Sequence, residues 1–181
     1  MNEKLIKFTL PSLISSASPP DLQETPANAP SKARILVAED DPVSRALISA
    51  RLEKWGYTPV ITHDGAEAMA VLRGRDAPSL AILDWSMPGM DGLEICRRLR
   101  GAEKTVYIIL LTSHSSKEHV IEGLRAGADD YLVKPFHAEE LEARISVGWR
   151  VIKAQETLAD RILALETTVS EIGSLKLRIP L

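Results

Sequence analysis

Residues 34–42 read Arg-Ile-Leu-Val-Ala-Glu-Asp-Asp-Pro. Four apolar residues, Ile35 to Ala38, run straight into three carboxylates, Glu39, Asp40 and Asp41. A short continuous apolar run of this kind reads as a strand covered on both faces. Pro42 then sits where the first turn of a helix tolerates it. The same construction recurs along the chain. Leu80-Ala81-Ile82-Leu83 stops on Asp84, the run over 106–111 stops on Thr112, and Tyr131-Leu132-Val133 stops on Lys134-Pro135. Each run delivers one polar group where its apolar residues end. In an open parallel sheet those ends share the crevice beyond the carboxyl edge of the strands. Acids, a hydroxyl and an amine gathered there suggest a cation site beside an acyl-phosphate site.

Amphipathic stretches separate the strands. Val43, Ala46, Leu47, Ala50, Leu52 and Trp55 recur at helical spacing, and Gly56 ends that helix. Residues 57–62 read as a second strand. Asp64 caps a helix running through Leu72, with Gly74 behind it. After the third strand comes the loop 85–90. Asp91 then caps a helix carrying Leu93, Ile95, Cys96 and Leu99 ahead of Gly101. The fourth strand is 106–111, followed by a helix over 117–126 that ends at Gly127. A short fifth strand covers 130–133, and a last helix begins near Ala138. Strands alternating with helices imply a parallel sheet with right-handed crossovers. The expected class is α/β, a doubly wound domain with a five-stranded parallel sheet over 33–149 and a long C-terminal helical extension.

The rest of the chain is read from composition and period. Residues 1–32 are rich in Ser, Pro and Ala and bury too little to offset their ordering entropy, so a flexible tail is expected. Lys4 and Lys7 precede Phe8-Thr9-Leu10, but Pro11 and the serines after it spoil a secretory signal. With 181 residues, 45% hydrophobic and 26% charged, the composition is that of an ordinary soluble domain with extensions. A net charge of −3 gives no case for direct binding to nucleic acid. The single cysteine, Cys96, forms no internal disulfide and fits a reducing cytoplasm. No apolar run is long enough to span a bilayer.

Past the domain, Val151, Leu158, Leu165 and Ile172 fall seven apart, with Gln155, Ile162, Val169 and Lys176 interleaved. That is a heptad seam with a polar Gln155 and a weak end at Lys176. The spacing predicts a parallel coiled-coil homodimer over 150–173. The alternative is a lone amphipathic helix folded back on its own domain. Gly173 and Pro180 are expected to end the helix and leave 174–181 as a tail.

The strand-end groups suit one chemistry. A carboxylate can accept a phosphoryl group, and that transfer depends mainly on electrostatic stabilisation of the phosphoryl oxygens. Mg²⁺ is held by a few carboxylates together with phosphate and water, and Glu39, Asp40 and Asp84 are the candidates. Four segments carry a resemblance: Ile-Leu-Val-Ala-Glu-Asp-Asp-Pro (35–42), Leu-Asp-Trp-Ser-Met-Pro-Gly-Met-Asp-Gly (83–92), Leu-Leu-Thr-Ser (110–113) and Gly-Ala-Asp-Asp-Tyr-Leu-Val-Lys-Pro-Phe (127–136). In that order they resemble the response-regulator receiver domain of bacterial two-component signal transduction, over roughly 34–149.

The resemblance implies a flavodoxin-like sheet of order 2-1-3-4-5. It implies Asp84 as phosphoacceptor, Asp40 as principal Mg²⁺ ligand with Glu39, and the Ser86 backbone carbonyl completing the ligands. Thr112 would be the switch hydroxyl, Tyr131 the coupled aromatic, Lys134 the phosphate partner, and Lys134–Pro135 a cis bond. A sensor histidine kinase or phosphotransfer protein would donate the phosphoryl group. The chain would then be a phosphoacceptor with self-catalysed transfer and dephosphorylation, not an enzyme on external substrates. Receivers with long helical extensions resemble those preceding diguanylate cyclases, but no such catalyst is encoded here.

Glu39 departs from the Asp more usual at its position. The resemblance implies that Ser86 and His114 occupy positions that tune dephosphorylation, although His114 reads equally as a solvated loop residue. Asp41 is expected to favour the helix dipole rather than a metal, Asp129 to be a loop acid, and Trp85 to shield the site or pack on the loop. His63, His119 and His137 lack metal-ligand spacing. Two rivals remain. A haloacid-dehalogenase-type phosphatase needs a second Asp where Ser86 stands. A phosphorylation-independent coiled-coil adaptor would tolerate loss of the site's acids or its lysine.

Overall fold

The computed structural model describes residues 33–102, 105–113 and 116–176, with side chains through 170. The expected N-terminal tail, His114 and the last five residues of the expected C-terminal tail lie outside the described residues. Five strands and five helices alternate: β1 (Arg34–Ala38), α1 (Pro42–Lys54), β2 (Thr58–Thr62), α2 (Gly65–Arg73), β3 (Leu80–Asp84), α3 (Gly92–Gly101), β4 (Tyr107–Thr112), α4 (Lys117–Ala126), β5 (Asp130–Val133) and α5 (Ala138–Lys176). All neighbours pair in parallel, in the order β2-β1-β3-β4-β5. The order reverses between β1 and β3, which opens the crevice at the carboxyl ends of those two strands.

Side chains alternate across the sheet and feed two apolar layers. Leu36, Leu83 and Leu110 pack with Leu72 of α2 and Leu99 of α3 on one face. Val37, Ile82 and Ile109 pack with Ile48 and Leu52 of α1 and Ile145 of α5 on the other. Every residue of β3 and β4 is buried, as strands covered on both faces require.

Three acids start three helices. The Asp41, Asp64 and Asp91 carboxylates accept hydrogen bonds from the backbone N–H of Ser44, Glu67 and Glu94 at 2.6, 2.8 and 2.7 Å. Each satisfies a donor that the first helical turn leaves open. Gly127 ends α4 at φ +104°, a conformation that only glycine adopts without strain.

The α1 helix forms as its spacing predicts, and several element boundaries differ from expectation. In α1 the buried residues are Ile48 and Leu52, while Val43, Ala46, Leu47 and Ala50 face solvent. The helix has two apolar stripes, and the sheet takes the one that continues to half-buried Trp55. Tyr57 is buried but precedes β2, and β4 begins one residue later than expected and includes Thr112. The α5 backbone runs through Gly173 to Lys176, because one interior glycine costs a helix only about 1 kcal/mol. No helix among the described residues is long and apolar enough to cross a membrane.

Candidate functional site

Strand register brings the polar groups to one edge. Ala38 pairs with Leu83, Asp84 with Leu111 and Thr112 with Val133. Glu39 and Asp40 therefore leave β1 beside Asp84 at the end of β3, with Thr112 one strand further and Lys134 just past β5. The Lys134 N–H donates to the Thr112 carbonyl at 2.7 Å, which seats the lysine against the end of β4. The Lys134–Pro135 peptide is cis, as the resemblance implies.

Lys134 Nζ lies 2.6 Å from Glu39 Oε2 and 3.1 Å from Asp84 Oδ1. One ammonium thus bridges two carboxylates that are almost out of water, Glu39 at 1% exposure and Asp84 at 6%. Burial pushes the Glu39 carboxyl above its ordinary range; Lys134 opposes that shift and the Asp84 charge adds to it. Burial pulls the Lys134 ammonium down, but the Glu39 hydrogen bond and the Asp84 charge outweigh it and leave its pKa raised. Asp40 stays exposed at the mouth. One ligand oxygen from each of Glu39, Asp40 and Asp84 falls within 4.8 Å of the others. The second oxygen of Glu39, Oε1, is buried with no hydrogen-bond partner. An acidic cluster with an unsatisfied buried carboxylate oxygen is a chemical fit for a hard cation.

The frame around the site is tight. A Cβ at Gly92 would lie 2.5 Å from the Asp84 carbonyl oxygen and 2.8 Å from Leu110, so glycine lets α3 start directly against β3. The Gly92 N–H donates to the Trp85 carbonyl at 3.0 Å and the Trp85 N–H to the Leu111 carbonyl at 2.8 Å. These bonds hold the turn that follows Asp84.

The other expected site residues lie close by or on the neighbouring face. Thr112 is buried at the end of β4. Ser86 is exposed in the loop after β3. Tyr131 is half-buried in β5, packed against the α2–α3 layer, with the Arg144 guanidinium 5.8 Å from its ring centroid. Trp85 meets His119 edge to face at 5.7 Å and sits close to Gly123, so it packs on α4. His119 is half-buried there.

Two residues carry no motif in the sequence: Arg45 supports the site, whereas Asp129 braces the opposite, amino-terminal edge of the sheet. Arg45 Nη1 donates to the carbonyls of Glu39 and Asp40 at 2.7 and 3.0 Å and holds the backbone of the acidic pair. Asp129, expected to be a loop acid, accepts from Arg100 at 2.6 Å and from the Ile108 N–H at 2.7 Å. An arginine one helical turn after an acid run was the available signal for the first. The second spans 29 residues and left no local signal.

A family model described as the response regulator receiver domain matches residues 35–146. Response regulator MprA of Mycobacterium tuberculosis is 41% identical over 82% of this chain, which spans 66% of that relative. The chain thus covers just under two thirds of the relative's length. The receiver domain of the Francisella response regulator 1452 is 32% identical, with a TM-score of 0.63, over 66% of this chain and 98% of that one. A two-component response regulator/GGDEF domain protein is 30% identical, with a TM-score of 0.62, over 66% of this chain and 50% of that one.

Proposed function

The chain belongs to the response regulator receiver domain family, and from that we propose that it is a phosphorylation-dependent signalling receiver with Asp84 as its phosphoacceptor. The observation that carries this reading is the Lys134 ammonium held between Glu39 and Asp84 at the sheet edge. The donor is a sensor histidine kinase or a phosphotransfer protein, and the setting is the cytoplasm. An Asp84 carboxylate oxygen forms a bond to phosphorus as the N–P bond of the donor phosphohistidine breaks, and the departing imidazole keeps that electron pair. Glu39, Asp40, Asp84 and the Ser86 backbone carbonyl would hold Mg²⁺. When bound, Mg²⁺ offsets charge on the phosphoryl oxygens.

The chain's own residues do the rest. Lys134 orients the Asp84 carboxylate before transfer and neutralises a phosphoryl oxygen after it. The Thr112 hydroxyl donates to another phosphoryl oxygen, which draws the end of β4 inward. Tyr131, one strand away, follows and changes the face formed by α4 and β5. The new charge selects between two packings of one fold. The phosphoryl group ends on the protein's own carboxylate and is lost from it by hydrolysis, so the chain acts on no external substrate.

The test is intact-mass measurement after incubation with acetyl phosphate and Mg²⁺. Wild type gains one phosphoryl group and Asp84→Asn gains none. Equal uptake by Asp84→Asn would sink the assignment. No uptake by either, from acetyl phosphate or from a phosphohistidine donor, would favour a phosphorylation-independent adaptor.

A further inference from the structure

Beyond the receiver reading, the outer part of α5 exposes apolar residues of its own. Its first turns pack on the sheet through Leu141, Ile145 and Ile152. Every residue over 153–170 is exposed, yet the helix continues. Along that stretch Leu158, Ile162, Leu165 and Val169 are 60, 49, 66 and 68% exposed. With Val151 and Gln155 they recur at alternating steps of four and three. The stripe is rotated by about 90° from the one that packs on the domain, at 100° per residue, so it clears the receiver body.

We propose that 151–169 pairs with the same segment of a second copy of this chain, as an in-register, parallel, two-stranded coiled coil. Residue type and charge both point to that occupant. The core positions alternate β-branched Ile162 and Val169 with Leu158 and Leu165, the arrangement that favours two parallel strands. The flanking charged positions are Arg161 and Glu166, five apart. In a parallel pair Arg161 of each copy faces Glu166 of the other, twice by symmetry. In an antiparallel pair arginine meets arginine and glutamate meets glutamate. Gln155 at a core position fixes the register, because any slip buries its amide against an apolar residue. A membrane surface is a poorer occupant, since residues 153–170 carry two basic and three acidic side chains.

The test is the oligomeric state of the full chain by sedimentation equilibrium. Wild type sediments as a dimer. Leu165→Asp weakens it by roughly a hundredfold, because it buries a charge in the seam. Leu163→Asp, off the seam though equally exposed, leaves it intact. Arg161→Glu and Glu166→Arg each weaken it roughly tenfold, and the double exchange restores it. Oxidised Leu158→Cys cross-links across the axis, with native Cys96 buried and silent. A monomeric wild type, equal damage from Leu163→Asp, or a dimer that resists this cross-link overturns the proposal. Asp84→Asn dimerises as wild type does, so failure here and failure of the phosphoacceptor reading are distinguishable.

Discussion

The crevice at the sheet edge and the outer half of α5 break the usual sorting of residues in opposite directions. In the crevice two carboxylates sit at 1 and 6% exposure. On the helix, Leu158 and Leu165 leave more than half their surface in water. Buried charge is costly and a contiguous exposed apolar stripe is uncommon, and neither is explained by what the fold needs for itself. The crevice holds its groups through the whole frame: strand register, Gly92 against Asp84, and Lys134 between the acids. Local bonds also run along the outer helix, such as the Thr157 hydroxyl donating to the Lys153 carbonyl at 2.8 Å. A fold can therefore hold a site open by rigidity in one place and simply leave a surface uncovered in another.

Reciprocal substitutions give the largest effects and test whether the two regions are separate. Lys134→Ala should lower the rate of phosphoryl uptake by about a hundredfold or more, the scale of losing a charged group that stabilises transferring oxygens. It should leave the sedimenting mass unchanged. Leu165→Asp should do the reverse, weakening the dimer by roughly a hundredfold while changing receiver stability by no more than about 0.5 kcal/mol, as expected at an exposed position. If Lys134→Ala also dissolves the dimer, or Leu165→Asp also slows uptake, the contrast breaks and the regions are coupled.

A smaller effect probes the frame alone. Arg100 donates from Nε to the Gly127 carbonyl at 2.9 Å, from Nη1 to the Val106 carbonyl at 3.0 Å, and from Nη2 to Asp129. It ties the end of α3 to the starts of β4 and β5. Arg100→Ala should cost about 2 kcal/mol in urea unfolding, since it leaves partly buried acceptors unpaired. Phosphoryl uptake per folded molecule should barely change. A loss under about 0.5 kcal/mol would mean that the clamp is ornamental to stability.

The two regions were not equally legible. Strand ends, caps and the crevice read clearly because each rests on a few residues in sequence: an apolar run and its stop, or an Asp before a helix. The acids, Asp84, Thr112 and Lys134 converge because register follows from the parallel sheet. What failed was what depends on packing direction or distance in sequence. Val43 and Leu47 lie at helical spacing as Ile48 and Leu52 do, and only the sheet selects between the two stripes. Asp129 looks like any turn acid until Arg100 is brought to it. Gly173 reads as a stop, but a glycine ends a helix only when the chain beyond it turns away, and α5 does not turn. The heptads were visible, whereas their exposure needed the structure.

Glu39 gives the subtlest effect, one whose sign depends on conditions. Burial raises its pKa from the ordinary 4.5, the Asp84 charge adds to the shift, and Lys134 only partly offsets it. A carboxyl with a raised pKa in the fold binds protons more tightly folded than unfolded. Its charged form is therefore a destabilisation that is absent below the unfolded pKa and fully present above the folded one. Without divalent metal, Glu39→Gln should be more stable than wild type near neutral pH. The gap should close as pH falls through the raised pKa toward 4.5. Mg²⁺ should reverse the order, because binding to the folded wild type adds stability that the amide cannot match. Urea midpoints of both proteins from about pH 5 to 7.5, first in EDTA and then in Mg²⁺, read the sign directly. A gap independent of pH, or a wild type already more stable in EDTA, would mean that Lys134 satisfies Glu39 and that the crevice carries no strain for a cation to relieve.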